Sequence, residues 1–311
     1  MKPLSPRIAI LMTLPPLMWA GNAVVGRLMV GQMPPMALNA LRWSLAALML
    51  LPLAWPLLRD ARERHAVRDA WPYLLLIGTL GIGAFNALQY LALRSSTALN
   101  VTLINASMPL WMLTVGAIAF SERPLSRQLI GALLSLAGVA TVIARGAWAS
   151  LADVHFVAGD GFMLVAVIGW AVYSWLLVRP PARLRPPSRE TIARWGWGGY
   201  LWVQCLFGLV AAGLAAGAEI ALADHPPIDW SSLAVWGALL YVAVGPSLIA
   251  YRCWGLGVAH AGPALAAFFV NLSPLFAALL SAWLLGEWPQ PYHGAAFALI
   301  VAGIVVSAWK S

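Results

Sequence analysis

Ten long apolar segments dominate this sequence and limit what it can fold into. Each runs for roughly 18 residues or more with few charges, which is typical of helices that cross a membrane. In hydrocarbon only helices and closed barrels satisfy every backbone polar group, so these helix-length segments predict an all-α integral membrane protein. We number them spans 1 to 10 in chain order: residues 8–30, 34–58, 72–93, 97–120, 127–145, 160–178, 197–219, 233–255, 262–285 and 292–309.

The charged residues agree with a membrane protein. They make up 10% of the 311 residues, against about 25% in soluble domains. The net charge of +8 would also fit a nucleic-acid partner. The basic residues, however, lie mainly in the short loops between spans, where they set membrane orientation. We therefore expect the lipid bilayer to be the partner of this basic surface, and no nucleic acid.

The second half of the chain repeats the first. At an offset of 165 residues, Pro109-Leu110 aligns with Pro274-Leu275 and Glu122 aligns with Glu287. The match runs without a gap through a turn and its two neighbouring spans, which makes chance an unsatisfactory explanation. We divide the chain into a first five-helix repeat, an external linker and a second five-helix repeat: residues 1–145, 146–159 and 160–311.

An odd number of spans per repeat predicts that the two halves are inverted in the membrane. With the N-terminus inside, most of the 19 Lys and Arg fall on the cytoplasmic side, and both termini are cytoplasmic. Trp19-Ala20 and Trp170-Ala171 occupy corresponding positions early in the two halves. Inverted repeats are typical of secondary transporters, which bind substrate near the midplane between the halves. The pattern therefore favours a carrier over a passive channel.

The acidic residues argue against a buried proton relay. All 11 Asp and Glu, and all five His, lie in loops or at the ends of spans. Ionisable groups inside the membrane are costly and are usually functional, so their absence from span interiors favours export or exchange down a gradient. Protonation at a helix end, at Glu122 or Glu287, is the alternative.

Arg42 is the one charge well inside a span. Its guanidinium would match a substrate carboxylate through two parallel hydrogen bonds. Alternatively, it caps backbone carbonyls or extends toward the outer headgroups while its stem stays in the membrane. From the sequence we favour the structural interpretation and keep carboxylate docking as the alternative.

Uncharged polar and aromatic side chains within the spans are the other candidates for a site. Lipid cannot satisfy amides and phenols, so they face other helices or a wet cavity. We expect part of them to hydrogen bond between helices and the rest to line a cavity suited to a zwitterion with an apolar side chain. The predicted cavity residues are Asn22, Arg42, Asn86, Tyr90, Asn105, Trp111, Trp170, Tyr173, Gln204, Tyr241, Tyr251 and Asn271. Pro109 and Pro274 are predicted helix breaks or hinges.

The sequence carries no convincing enzymatic motif. Gly245-Pro246-Ser247 lacks the second glycine of a nucleophile elbow, and the sequence has neither H-E-x-x-H nor a glycine-rich phosphate loop. We predict a protein that is not an enzyme and needs no cofactor or metal.

Small residues spaced three or four apart on spans 5 and 10 suit close helix packing, within the monomer or between copies. They are Gly131, Ser135 and Gly138 on span 5, and Gly294, Ala298 and Ala302 on span 10. We expect a monomer, with a homodimer as the alternative.

Several of these features together resemble the drug/metabolite transporter superfamily, and more narrowly its EamA-type bacterial carriers. They are the two halves of five spans, Trp19-Ala20-Gly21-Asn22, Arg42, the two Pro-Leu pairs and the Glu122 and Glu287 turns. The resemblance covers nearly the whole chain. It implies an inner-membrane carrier of small metabolites, with spans 3, 4, 8 and 9 around a central cavity and spans 5 and 10 outside it.

The resemblance also bears on the substrate. The family often has Arg at the position of Arg42 whatever it transports, which implies a structural role. The many aromatic residues favour the branch that exports aromatic amino acids. Carriers or channels for other small organic solutes, including drug efflux and sugar-phosphate exchange, are the alternatives.

Overall fold

The computed structural model describes residues 5–148, 155–222, 227–285 and 290–309. These residues form helices and turns without a strand, which confirms the all-α class for the described chain. Within the described ranges, nine helices are long and apolar enough to cross a membrane, or ten when the bent span 4 is counted. The helices of spans 1 to 10 are Pro6–Leu28, Pro35–Arg59, Trp71–Leu93, Ala98–Ala106 with Met108–Phe120, Ser126–Ile143, Ala158–Val178, Arg189–Leu222, Leu233–Ala261, Pro263–Val270 with Ser273–Leu285, and Pro291–Ala308.

Two stretches outside the predicted spans are partly helical. Ala61–Asp69 forms a short helix between spans 2 and 3, capped by the Asp60 carboxylate, which accepts from the Arg62 amide at 2.8 Å. This helix is short and polar, so apolar runs alone do not reveal it. Arg189–Leu222 also includes a polar helical turn before residue 197, which Gly196, with a non-helical φ of 64°, separates from the apolar helix of span 7.

Helix packing follows the two repeats. Span 5 packs against span 10 and span 2 against span 7, so equivalent helices of the two halves face one another. The contact of span 3 with span 6 is matched by that of span 8 with span 1. The contact of span 4 with span 6 is likewise matched by that of span 9 with span 1. Exchanging the halves therefore maps each contact onto another, as a pair of structural repeats requires.

Two spans contain wide helical turns at equivalent places. Span 3 has a π-helical segment at Thr79–Ala84, and span 8 has one at Ala243–Ile249. π-Helical segments insert into α-helices mostly at functional sites, because they move side chains and carbonyls out of the regular helical pattern. Both segments belong to helices that reach the interface between the halves.

Two other spans are broken at equivalent places. Span 4 bends by 46° at Ser107, and span 9 is interrupted between Val270 and Ser273. Pro109 and Pro274 follow these interruptions directly. Proline has no N–H to donate to the carbonyl four residues earlier, which weakens the helix at that point. Both prolines therefore lie at observed breaks, while their role as hinges stays a prediction.

Spans 5 and 10 approach each other until their backbones touch. A Cβ on Gly303 would lie 2.6 Å from the Gly131 carbonyl oxygen, and one on Gly131 would lie 2.6 Å from the Gly303 carbonyl oxygen. A Cβ on Gly138 would lie 2.8 Å from Ile300 in the same interface. The small face predicted on span 5 thus packs within the chain, whereas on span 10 Ala296, Ile300 and Gly303 form the contact and the predicted Gly294 and Ala298 are exposed.

A buried carboxylate ties the short helix to span 7. Glu63 accepts hydrogen bonds from Arg194 Nε at 2.6 Å and from Trp195 Nε1 at 2.8 Å. The hydrogen bond from Arg194 lowers the pKa of Glu63, burial opposes that shift, and the bond from Trp195 reinforces it. A carboxyl group with a depressed folded pKa stabilises the fold above its unfolded pKa. That contribution is lost as the pH falls through the folded pKa.

We therefore expect Glu63→Gln to lower the free energy of unfolding at neutral pH by about 1 kcal/mol. The value is small because the Arg194 side chain is 37% exposed and solvent screens the pair. The difference from wild type should shrink to nothing as the pH falls below about 4. Thermal unfolding of the purified protein across this range measures both effects. Glu190→Gln, an exposed acid in the first turn of span 7, is the control. Equal shifts in the two variants would mean a general effect of charge.

Candidate functional site

Six aromatic side chains from spans 1, 3, 6 and 8 pack together between the two halves. Trp170 lies at the centre, with its ring centroid between 5.1 and 5.6 Å from those of the other five. Spans 6 and 8 each supply two rings three residues apart, which places both rings on one helix face. We call this group the aromatic cluster: Trp19, Phe85, Trp170, Tyr173, Tyr251 and Trp254.

Carbonyl groups of the two π-helical segments anchor the aromatic cluster. Trp19 Nε1 donates to the Pro246 carbonyl at 3.2 Å, and the Tyr251 hydroxyl donates to the Gly81 carbonyl. Glycine is needed at position 81, because a Cβ there would lie 2.6 Å from the Tyr173 ring. The wide turns of spans 3 and 8 thus hold the rings of the opposite half in place.

The central ring of the cluster keeps an unused donor. Trp170 is 3% exposed, and its Nε1 has no hydrogen-bond partner among the described residues. Trp170 is the predicted counterpart of Trp19, at an offset of 151 residues, and Gly81 is the counterpart of Pro246 at the offset of 165. On these two correspondences the Gly81 carbonyl is the equivalent acceptor. Tyr251 already occupies that carbonyl. A buried donor without an acceptor costs about 1–3 kcal/mol, which a substrate acceptor at this place would relieve.

Arg42 lies beside the aromatic cluster with neutral partners alone. Its Nε donates to Ser247 Oγ at 3.1 Å and its Nη1 to Asn22 Oδ1 at 3.3 Å. The guanidinium also stands 5.1 Å from the ring centroid of Trp43, which contacts Tyr251 of the cluster at 4.8 Å. No carboxylate among the described residues pairs with it.

This environment matches neither form of the structural interpretation of Arg42, and its role stays a prediction. The side chain is 3% exposed, so it does not extend to the headgroups, and among the described residues it donates to no backbone carbonyl. Three of its five N–H groups remain without an acceptor in that part of the chain. An unpaired cation inside a membrane protein is costly and marks a functional candidate.

Other predicted polar residues surround Arg42. Asn86 Nδ2 donates to the Asn39 amide oxygen at 3.1 Å, and Asn39 lies one turn before Arg42 on the same helix. Tyr90 lies one turn after Asn86, near the guanidinium. On the far side of the cluster, the Tyr173 hydroxyl donates to Gln204 Oε1 at 3.1 Å. These contacts bring together eight of the predicted residues: Asn22, Arg42, Asn86, Tyr90, Trp170, Tyr173, Gln204 and Tyr251.

Four predicted cavity residues make none of these contacts. Trp111 lines a separate groove of about 550 Å³ between spans 4, 5 and 6, whose wall is mostly apolar. Tyr241 closes the space beside span 1 and donates to the Met18 carbonyl at 3.3 Å. Asn105 and Asn271 lie at the breaks of spans 4 and 9.

Sequence reasoning missed several members of the site. Trp254 was not selected, although it lies one turn after Tyr251 on the same face. The Arg42 partner Ser247 was not selected for the cavity either, nor was Asn39, which accepts from Asn86 and lies one turn before Arg42. The resemblance also assigned the centre to spans 3, 4, 8 and 9, whereas spans 1 and 6 supply three of the six rings.

An ion pair joins the two halves at one end of the bundle. Arg179, after span 6, pairs with Glu122, after span 4, and its guanidinium stands 5.8 Å from the Trp175 ring centroid. The Trp175 ring in turn stacks on Phe120 at 5.3 Å. Glu122, the alternative site for proton coupling, is therefore engaged with a cation. Glu287 lies outside the described residues.

A second contact joins the halves at the opposite end. Glu219, in the last turn of span 7, accepts hydrogen bonds from the Met36 amide at 2.8 Å and the Ala37 amide at 3.3 Å. It also pairs with Arg94 at 3.4 Å. The N-terminus of span 2 has a positive dipole end and free N–H groups, so a carboxylate is stabilised there. Both ends of the space around the aromatic cluster are thus bridged in this conformation.

Comparison with known families and structures gives a consistent result. A family model described as the EamA-like transporter family matches residues 6–144 and 157–309, and so matches both halves. A solved crystal structure with 22% sequence identity aligns with a TM-score of 0.72 and covers 96% of each chain. The fold is therefore shared over nearly the whole molecule.

Relatives align along most of their length at low identity. The uncharacterized transporter YyaM of Bacillus subtilis is 23% identical, over 90% of this chain and 86% of that protein. A probable amino-acid metabolite efflux pump of Salmonella typhimurium is 26% identical, over 94% of this chain and 91% of that protein. The aromatic amino acid exporter YddG of Ancylobacter novellus is 24% identical, over 89% of this chain and 88% of that protein.

Proposed function

The chain belongs to the EamA-like transporter family of the drug/metabolite transporter superfamily, and we propose that it exports small zwitterionic metabolites, chiefly neutral or aromatic amino acids. It is a multi-pass membrane protein by its apolar helices. Our proposal places it in a bacterial inner membrane with both termini in the cytoplasm. There it would bind substrate between its halves and release it on the other side.

The observation that carries the proposal is the unpaired guanidinium of Arg42 next to the aromatic cluster. An amino acid carries a carboxylate, which a guanidinium holds through charge-assisted hydrogen bonds. Its apolar side chain gains by packing among rings such as Trp170, where aromatic pairs add about 0.5–1.5 kcal/mol beyond buried area. Trp43 and Tyr251 connect the two regions, so a single small molecule would use both.

The relatives support an amino-acid substrate. Two of those described above are named for amino-acid or aromatic amino-acid export, in Salmonella typhimurium and Ancylobacter novellus. At 26% and 24% identity they suggest a substrate class for this chain without fixing it. The chemistry of Arg42 and the aromatic cluster favours the same class.

The paired irregular helices suggest how the site would open. In this conformation Trp170 and Arg42 are each 3% exposed, so substrate has no free path to them. In our proposal, breaking the Arg179–Glu122 contact would open one end, and breaking the Glu219 contacts would open the other. The π-helical segments and the breaks at Ser107 and before Ser273 are the places where the helices would bend.

We propose that transport does not require a buried proton relay. Asp160 and Glu219 are buried, but they lie in the first and last turns of their helices. Glu219 is held by the N-terminus of span 2, and Asp160 accepts from Asn100 Nδ2 at 2.9 Å. Both carboxylates thus have structural partners outside the aromatic cluster.

Efflux from loaded bacterial cells tests the proposed function. Cells would be loaded with phenylalanine by hydrolysis of a phenylalanine dipeptide inside them. We expect cells that express the protein to release phenylalanine faster than cells with an empty vector, at equal internal loading. Release at the same rate, with the protein confirmed in the membrane, would contradict amino-acid export.

A further inference from the structure

The broken spans 4 and 9 meet at the interface between the halves. Asn271, where span 9 breaks, donates from Nδ2 to the carbonyl of Ala106, where span 4 breaks, at 3.2 Å. These residues are 165 positions apart, so each occupies the other's place in the repeat. The contact therefore joins equivalent positions of the two repeats. The first helix of span 9 also touches spans 1 and 8.

This contact is rich in oxygen atoms that lack donors. Asn271 is 1% exposed, and its Oδ1 has no hydrogen-bond partner among the described residues. The Oδ1 of Asn105, the residue before Ala106, is also buried without a hydrogen-bond partner among the described residues. Because Pro109 and Pro274 have no N–H, the carbonyls of Asn105 and Val270 also lose their normal helical donors. Two short helices end here, and helix C-termini carry partial negative charge.

We propose that the break of spans 4 and 9 binds a small monovalent cationic group through the Asn105 and Asn271 amide oxygens. Neutral oxygens at interrupted helices suit such a group, as in carriers whose unwound carbonyls hold coupling ions. A divalent ion would call for carboxylates as well. The group is either the ammonium of the transported molecule or a free sodium ion. The ammonium source rests on the proposed function, whereas the sodium source does not.

If the ammonium is the source, the substrate would be held at two poles. Arg42 would take its carboxylate, and the Asn105–Asn271 oxygens would take its ammonium. Because both groups are bonded to one carbon, this arrangement requires a bound conformation in which the break lies next to Arg42. Each pole then selects against an analogue that lacks one charge, because the unmatched buried group stays unpaired.

Binding of three phenyl compounds to the purified protein separates the sources. Phenylalanine carries both charges, 3-phenylpropionate lacks the ammonium, and 2-phenylethylamine lacks the carboxylate. The variants are Asn271→Leu and Asn105→Leu. The second removes no hydrogen bond among the described residues, so it keeps the test open if the first fails to fold. Ser135→Ala is the matched control, because Ser135 Oγ is also buried and unpartnered in that part of the chain but lies in span 5.

We expect wild type and Ser135→Ala to bind phenylalanine at least about tenfold more tightly than 3-phenylpropionate, from the strength of hydrogen bonds to a charged group. In both Asn variants the ratio of the affinity for phenylalanine to that for 3-phenylpropionate should fall toward one. In the sodium arm, NaCl would raise the unfolding midpoint above that in choline chloride for wild type and the control, but not for the Asn variants.

The outcomes are distinguishable. A sodium effect that is lost in the Asn variants, with no binding of phenylalanine, would support the site and count against the proposed amino-acid substrate. Equal phenylalanine selectivity in wild type and both Asn variants, with no sodium effect, would overturn the site and leave the proposed function standing. The site would also be overturned if wild type neither preferred phenylalanine to 3-phenylpropionate nor gained stability from NaCl.

Discussion

Replacing Arg42 by Gln is expected to reduce transport of phenylalanine by about 100-fold or more. A carboxylate held by a guanidinium gains two charge-assisted hydrogen bonds, each worth about 1.5–3 kcal/mol, and a neutral amide cannot replace that charge. The measurement is initial uptake into liposomes at equal protein content, together with the affinity for phenylalanine and for 2-phenylethylamine. Affinity for the amine should change little, since it has no carboxylate.

Arg59→Gln is the matched control for this substitution. Arg59 belongs to the same helix and also stands over a tryptophan, at 5.0 Å from the Trp55 ring centroid, but it is exposed. Its replacement should leave transport unchanged. If Arg42→Gln lowers the affinities for 2-phenylethylamine and phenylalanine equally, or lowers the unfolding midpoint by many degrees, then Arg42 is structural and the docking role is wrong.

Trp170→Phe is expected to separate substrate binding from stability. The change keeps an aromatic ring at the centre of the cluster and removes the Nε1–H that has no partner among the described residues. We expect the affinity for phenylalanine to fall about tenfold, because a charge-assisted bond from the indole is lost. Without substrate, the variant should have the same unfolding midpoint as wild type or a higher one, because an unsatisfied buried donor is removed.

Trp254→Phe provides the contrast. Its indole donates to Ser174 Oγ at 3.2 Å, so the same change there removes a satisfied bond and should lower the unfolding midpoint. Calorimetric binding and thermal unfolding of both variants would test the pair. A Trp170→Phe protein that loses stability but binds phenylalanine normally would show that Trp170 serves packing alone.

The spans, the repeat and the helix breaks followed from the sequence because each leaves a local pattern. Apolar length marks a span, and Pro109 and Pro274 mark the breaks through the N–H that proline lacks. The short helix Ala61–Asp69 has neither signal, because its stability comes from an N-cap and from the Glu63 contacts with span 7. It could be found only from the fold.

The composition of the site was only partly predictable. Polarity inside a span identified Arg42, Asn86 and Gln204, since lipid cannot satisfy such groups. Helical spacing on one face pairs Tyr251 with Trp254, a signal that polarity alone did not use. Trp111 is as deep as Trp170 along its helix, yet it faces a groove between spans 4, 5 and 6. The direction of a helix face depends on its neighbours, which no single segment specifies.

The most direct test is uptake of a panel of radiolabelled amino acids into liposomes that contain the purified protein, with and without an imposed pH gradient. The proposed function predicts saturable uptake of aromatic or other neutral amino acids that does not depend on the gradient. Uptake that requires the gradient would show that a carboxylate at a helix end is coupled to transport. Absence of saturable uptake for every amino acid, from protein that remains folded in the bilayer, would contradict the central claim.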